Sequence, residues 1–137
     1  EGVPAILGFA AACAAVSATF RADILRESGL IAEFAERFAA LEGVSVNGSH
    51  EAPHILSLAI PGVPVQNTIN ILQDHGICVS AGSACAKGHR SHVLTAMGLP
   101  PEIIDASFRI SLCRDTAREE LEALYTVLRD EVLPRAR

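Results

Sequence analysis

Two rhythms of apolar and polar residues run through this chain. A spacing of three to four marks helices, and strict alternation marks strands. Residues 3–17 (VPAILGFAAACAAVS) are almost unbroken apolar, with Pro4 in the first turn, where a helix loses no amide bond. Alanine content carries this predicted helix to about residue 26, where Glu27, Ser28 and Gly29 interrupt it. A second helix follows. Leu30, Ile31, Phe34, Phe38 and Leu41 share one face, Glu33, Glu36 and Arg37 the other, and Gly43 ends it.

Val44, Ser45 and Val46 alternate as a short strand, and Asn47-Gly48 is a turn signal. Residues 54–60 predict a strand with Leu56, Leu58 and Ile60 on one face, closed by Pro61 and Gly62. Pro64 opens a helix with Val65, Ile69 and Leu72 inward, and His75-Gly76 ends it. A strand is expected over 77–80, a short helix over 91–97 behind Ser91 as cap, and another brief helix from Pro100-Pro101. Residues 107–112 alternate, with Phe108, Ile110 and Leu112 opposite Ser107, Arg109 and Ser111. Thr116 and Glu119 make a capping-box pattern. The last helix presents Leu121, Leu124, Leu128 and Val132 as a stripe. Four short strands among helices predict an α+β domain, an antiparallel or mixed sheet with helices on one face.

Composition narrows the function. The 137 residues suffice for one small domain, and half of them are hydrophobic. A net charge of −5, no Trp and one Tyr leave neither a basic surface nor an aromatic platform for nucleic acid. Residues 3–17 are too short to span a bilayer and lack the charged start of a signal peptide, so a buried helix is expected. Without a secretory signal, the four cysteines are expected to be reduced thiols in a cytoplasmic protein. Cys13, Cys78 and Cys113 lie in apolar runs and are expected to fill the core.

Cys85 differs. Residues 80–94 (SAGSACAKGHRSHVL) set it among small side chains, with Lys87, His89 and Arg90 close by. Nearby cations lower a thiol's pKa, and the thiolate is the reactive form, so Cys85 is a candidate nucleophile. Plainer readings stand beside this one. Cys85 serves equally as a generic loop thiol, Arg109 as a salt-bridge partner for Asp105 or Asp115, and the three cations as a solvated loop face. Cys85, His89 and His92 also suggest zinc, with no evident fourth ligand. Lys87 is the only lysine in the chain, so any chemistry through a lysine imine falls to it alone.

The combination of motifs resembles the small C-terminal domain of the cysteine desulfurases, the NifS/IscS-like branch of the fold-type I pyridoxal-phosphate enzymes. Gly2-Val3-Pro4-Ala5-Ile6 with Gly8-Phe9 resembles that family's entry into its long helix, and Pro61-Gly62-Val63 its strand end. His75-Gly76-Ile77 through Ser80, then Gly82-Ser83-Ala84-Cys85, resembles its nucleophile segment. Ser91-His92-Val93-Leu94, Ala96-Met97-Gly98-Leu99 and the 107–112 strand follow in order. The resemblance implies that Cys85 takes sulfur from L-cysteine as a persulfide, leaving alanine, and that Arg109 clamps the substrate carboxylate. It also implies that pyridoxal phosphate is held by a large domain outside this sequence, because Lys87 does not match the cofactor lysine. The apolar faces of the first and last helices are then either core or the packing surface for that domain. The chain is then one small domain, 1–137, the C-terminal part of a longer homodimeric enzyme, inactive alone. Its partner is a sulfur-acceptor or iron–sulfur scaffold protein, with no nucleic acid and no membrane. The segment between Cys85 and Ser91 is shorter than is usual in that branch. The alternatives are a related aminotransferase or lyase without sulfur transfer, or a stand-alone sulfur-carrier or docking domain.

Overall fold

The computed structural model describes residues 2–49, 51–82 and 90–136. A single helix, α1 (Val3–Ala39), replaces the two expected. Gly29 lies inside it, where a glycine costs about 1 kcal/mol relative to alanine. Contacts on both sides of Gly29 outweigh that cost. Before it, the Arg26 guanidinium donates to the carbonyl oxygens of Thr116, Cys113 and Arg114 at 2.7, 3.0 and 2.7 Å. After it, Ile31, Phe34, Ala35 and Phe38 enter the core.

Residues 3–22 of α1 are exposed throughout this chain, Ile6, Leu7, Phe9 and Phe20 included, so the first helix is not buried within this domain. The helix has 37 residues and an 18-residue stretch of mean hydropathy 1.9. By length and composition alone it could cross a membrane. The expectation of a segment too short for that stopped at Ser17, whereas the helix runs on past it.

The sheet has three antiparallel strands in the order β1 (Ser45–Asn47), β2 (Ile55–Ala59), β3 (Ser107–Ser111). The α+β class therefore holds. Asn47 belongs to β1, and the turn falls on Gly48, whose φ of +86° suits a residue without Cβ. No strand forms over 77–80. The Ile77 N–H turns back to the Leu72 carbonyl at 2.9 Å, closing helix α2 (Val65–Asp74). Only Ser80 reaches the sheet, as an isolated pair with Arg109.

The predicted alternation in β2 and β3 sorts the sheet faces. Leu56, Leu58, Phe108 and Ile110 are buried against Phe34 and Phe38 of α1, Leu72 of α2, and Leu121 and Leu124 of α5 (Arg118–Val127). A π-helical turn, Leu128–Val132, then a 3₁₀ turn, Leu133–Arg135, continue α5 and keep Leu128 and Val132 in the same stripe. The expected capping pair slides by one residue. The Glu120 carboxylate accepts the Ala117 N–H at 2.7 Å, because the Thr116 hydroxyl is occupied by the Cys113 N–H at 2.9 Å. Two short helices, α3 (His92–Ala96) and α4 (Pro101–Asp105), border the other face of the sheet, with Ser91 capping α3 as expected.

Ion pairs fasten α1 to α5. Arg37 bonds Glu122 bidentately at 2.6 and 2.7 Å, and Arg118 bonds Glu33. Hydrogen bonds from Arg118 and Arg37 hold the Glu33 and Glu122 carboxyls below their ordinary value. Depressed folded-state values mean stability that is present above the unfolded carboxylate pKa and is lost as pH falls through the folded one. The groups are exposed, so the effect is small. The double variant Glu33→Gln/Glu122→Gln is expected to flatten the fall in melting temperature between about pH 5 and pH 3. Melts across that range check it, and an unchanged slope contradicts it.

Candidate substrate cleft

The polar face of the sheet forms the floor of an open cleft of about 680 Å³. One row of the sheet defines it. Asn47 pairs with Ser57, Ser57 with Arg109, and Arg109 with Ser80. Side chains in one row of a sheet leave the same face, so this row sets an amide, two hydroxyls and a guanidinium together. The register alone does this, since the four residues come from four separate segments. Residues 90–94 and Asp105 form the opposite rim.

Arg109 lies where the alternation of residues 107–112 placed it, on the exposed side of β3. Neither carboxylate considered as its structural partner pairs with it. Asp105 takes Arg90 bidentately at 2.7 and 2.6 Å, and Asp115 lies 3.7 Å from Arg114. Among the described residues no carboxylate pairs with Arg109. The Arg90 hydrogen bond holds the Asp105 carboxyl below its usual range. The charge of Arg90 is therefore paired at the rim, and the other two cations of the expected loop are Lys87 and His89. Both lie outside the described residues, as does Cys85.

The root of that segment is well placed. Ser80 and Arg109 exchange two backbone hydrogen bonds, 3.0 Å from Ser80 N and 2.7 Å from Arg109 N. The Ser80 hydroxyl donates to the Gly82 carbonyl at 3.0 Å, and Gly82 turns the chain at a φ of +82°, which favours glycine. Ala81 and Gly82 face the cleft.

The other cysteines depart from expectation. Cys13, Cys78 and Cys113 are exposed rather than core filler. Cys13 lies on the uncovered half of α1, Cys78 in the extended 77–80 connection, and Cys113 in the loop after β3. The Thr116 hydroxyl donates to Cys113 Sγ at 3.6 Å and draws that thiol's pKa down. For zinc, His92 is at the cleft rim, and the other two ligands considered lie outside the described residues. Among the described residues no three His, Cys, Asp or Glu side chains are grouped for a metal ion. Sequence reading placed Asn47 in a turn and passed over Ser57, although a polar residue in the middle of an apolar strand was a usable signal at Ser57.

Residues 1–124 match the aminotransferase class-V family. A cysteine desulfurase of Nostoc sp. is 31% identical over 142 aligned residues, which take in all of this chain and 35% of the relative. A putative cysteine desulfurase IscS 1 of Bacillus subtilis is 36% identical over 116 residues, 81% of this chain and 27% of the relative. The crystal structure of a NifS-like protein from Rickettsia africae superposes with a TM-score of 0.79 at 28% identity, covering 93% of this chain and 34% of that one. The chain thus spans about a third of the length of the relatives it matches. The match takes in α1, the sheet and the cleft alike, and the chain belongs to the aminotransferase class-V family as a NifS/IscS-like member.

Proposed function

We propose that this chain is the sulfur-accepting part of a pyridoxal-phosphate-dependent cysteine desulfurase. The carrying observation is the Arg109 guanidinium, free of carboxylate partners among the described residues, tied through its own backbone to the root of the Cys85 segment. A guanidinium takes a carboxylate bidentately, so Arg109 holds the L-cysteine carboxylate. Cys85 follows Ser80 by five positions, and a fully extended chain of that length covers at most roughly 18 Å. Cys85 is therefore tethered close to the anchored amino acid.

The described cleft residues suit a carboxylate and not the cofactor. They include no lysine, and the one lysine of the sequence lies outside them. Pyridoxal phosphate, held by the remainder of the protein, supplies the electron sink for breaking the substrate's C–S bond. This chain supplies the grip and the nucleophile. The Cys85 thiolate attacks the L-cysteine sulfur and an S–S bond forms. The C–S bond breaks with its electron pair on carbon, and protonation there gives L-alanine. The persulfide on Cys85 is then passed to an acceptor or iron–sulfur scaffold protein in the cytoplasm. The exposed apolar half of α1 packs, on this reading, against the same remainder of the protein.

Incubating the complete protein with L-cysteine is expected to yield L-alanine and one added sulfur atom on the peptide containing Cys85, read by mass spectrometry. A keto acid as product would favour an aminotransferase or lyase instead. Sulfur transfer with no alanine formed would favour a carrier.

A further inference from the structure

Three polar side chains on the cleft floor form a relay whose direction is set by a backbone carbonyl. The Ile103 oxygen can only accept. The Ser107 hydroxyl donates to it at 2.6 Å, which leaves Ser107 Oγ as an acceptor toward Asn47. Asn47 must then present its amide nitrogen, with two hydrogens to give. One goes to Ser107 Oγ at 2.9 Å and the other to Ser57 Oγ at 3.2 Å. Ser57 is thereby an acceptor within the relay. Its own hydroxyl hydrogen has no acceptor among the described residues. Asn47 and Ser107 are buried, whereas Ser57 is half-buried and opens onto the cleft.

Ser57 is the register partner of Arg109. Directly opposed residues of antiparallel strands hold their Cβ atoms about 5 Å apart, so the hydroxyl and the guanidinium stem rise side by side. We infer that Ser57 donates a second hydrogen bond to the carboxylate held by Arg109, and that Asn47 is a positioning residue that turns the Ser57 hydroxyl outward. A carboxylate offers about four lone-pair sites, so a bidentate guanidinium leaves room for a neighbouring hydroxyl. The inference deepens the reading of the cleft as an amino-acid site and rests on it.

The test uses the complete protein with its cofactor. Losing a hydrogen bond to a charged group is expected to raise KM for L-cysteine about tenfold in Ser57→Ala, with kcat held within about twofold. Ser57→Thr keeps the hydroxyl on a side chain that strands favour, and restores KM. Asn47→Leu raises KM about threefold alone and adds nothing in the Ser57→Ala background, because the two residues act through one hydroxyl. Inhibition by cysteamine, which lacks the carboxylate, stays unchanged in all of these variants. An unchanged KM in Ser57→Ala, or equal weakening of L-cysteine and cysteamine, overturns the inference. Arg109→Lys separates this from the wider reading. If it weakens L-cysteine selectively while Ser57→Ala does nothing, Arg109 keeps its role and Ser57 loses the one assigned here. If neither variant distinguishes L-cysteine from cysteamine, the carboxylate is held elsewhere and the reading of the cleft fails with the inference.

Discussion

Cys85→Ser in the complete protein is expected to abolish persulfide formation from L-cysteine while the cofactor's absorbance and the binding of L-cysteine persist. A serine hydroxyl stays protonated near neutral pH and is a weak nucleophile toward sulfur, whereas a thiolate attacks sulfur readily. Arg109, proposed to hold the substrate carboxylate, is untouched by the change. Peptide mapping is essential to the readout. Cys13, Cys78 and Cys113 are exposed in this domain, so the map must show which thiol carries the added sulfur. Undiminished transfer to an acceptor protein would remove Cys85 from the mechanism.

Phe38→Ala is expected to cost about 3–5 kcal/mol of the small domain's stability. Phe38 has no exposed surface and lies against two aromatic rings, with centroids 6.1 Å away at Phe34 and 5.7 Å at Tyr125. The Arg37 guanidinium stacks 4.5 Å from the Phe34 ring and 4.4 Å from the Tyr125 ring, closing the cluster on its outer side. Removing the central ring leaves a void that this fixed frame cannot collapse around. Hydrogen exchange at the β2 amides of the complete protein should accelerate by about a hundredfold or more, since each 1.4 kcal/mol is a factor of ten. Exchange within about tenfold of the parent would show that α1 is not what holds the sheet.

The sequence made some of this legible and hid the rest for identifiable reasons. Residues 107–112 alternate so cleanly that both the buried side of β3 and the outward Arg109 followed from them. The last helix's stripe was equally plain. Gly29 misled, because local propensity marks a break, while Arg26 binds carbonyls 87 to 90 residues away and Phe34 packs across the core. The strand over 77–80 failed on a hydrogen bond that no pattern displays, the return of Ile77 to Leu72. The uncovered half of α1 looked like core because an apolar helix carries no mark of what covers it. Asn47 and Ser57 stayed hidden for a different reason. Their place beside Arg109 depends on how three strands align, and pairing register is a property of the assembled sheet.

On the proposed reading, the backbone pairing of Ser80 with Arg109 makes the anchor of the substrate and the mooring of the nucleophile a single joint. A shift of β3 carries both along, so thermal motion of the strand changes their mutual spacing far less than it moves either one. Substitutions behind the strand, at Phe108 or Ile110, should therefore disturb grip and delivery in concert, and two kinetic defects with one structural origin would be the signature.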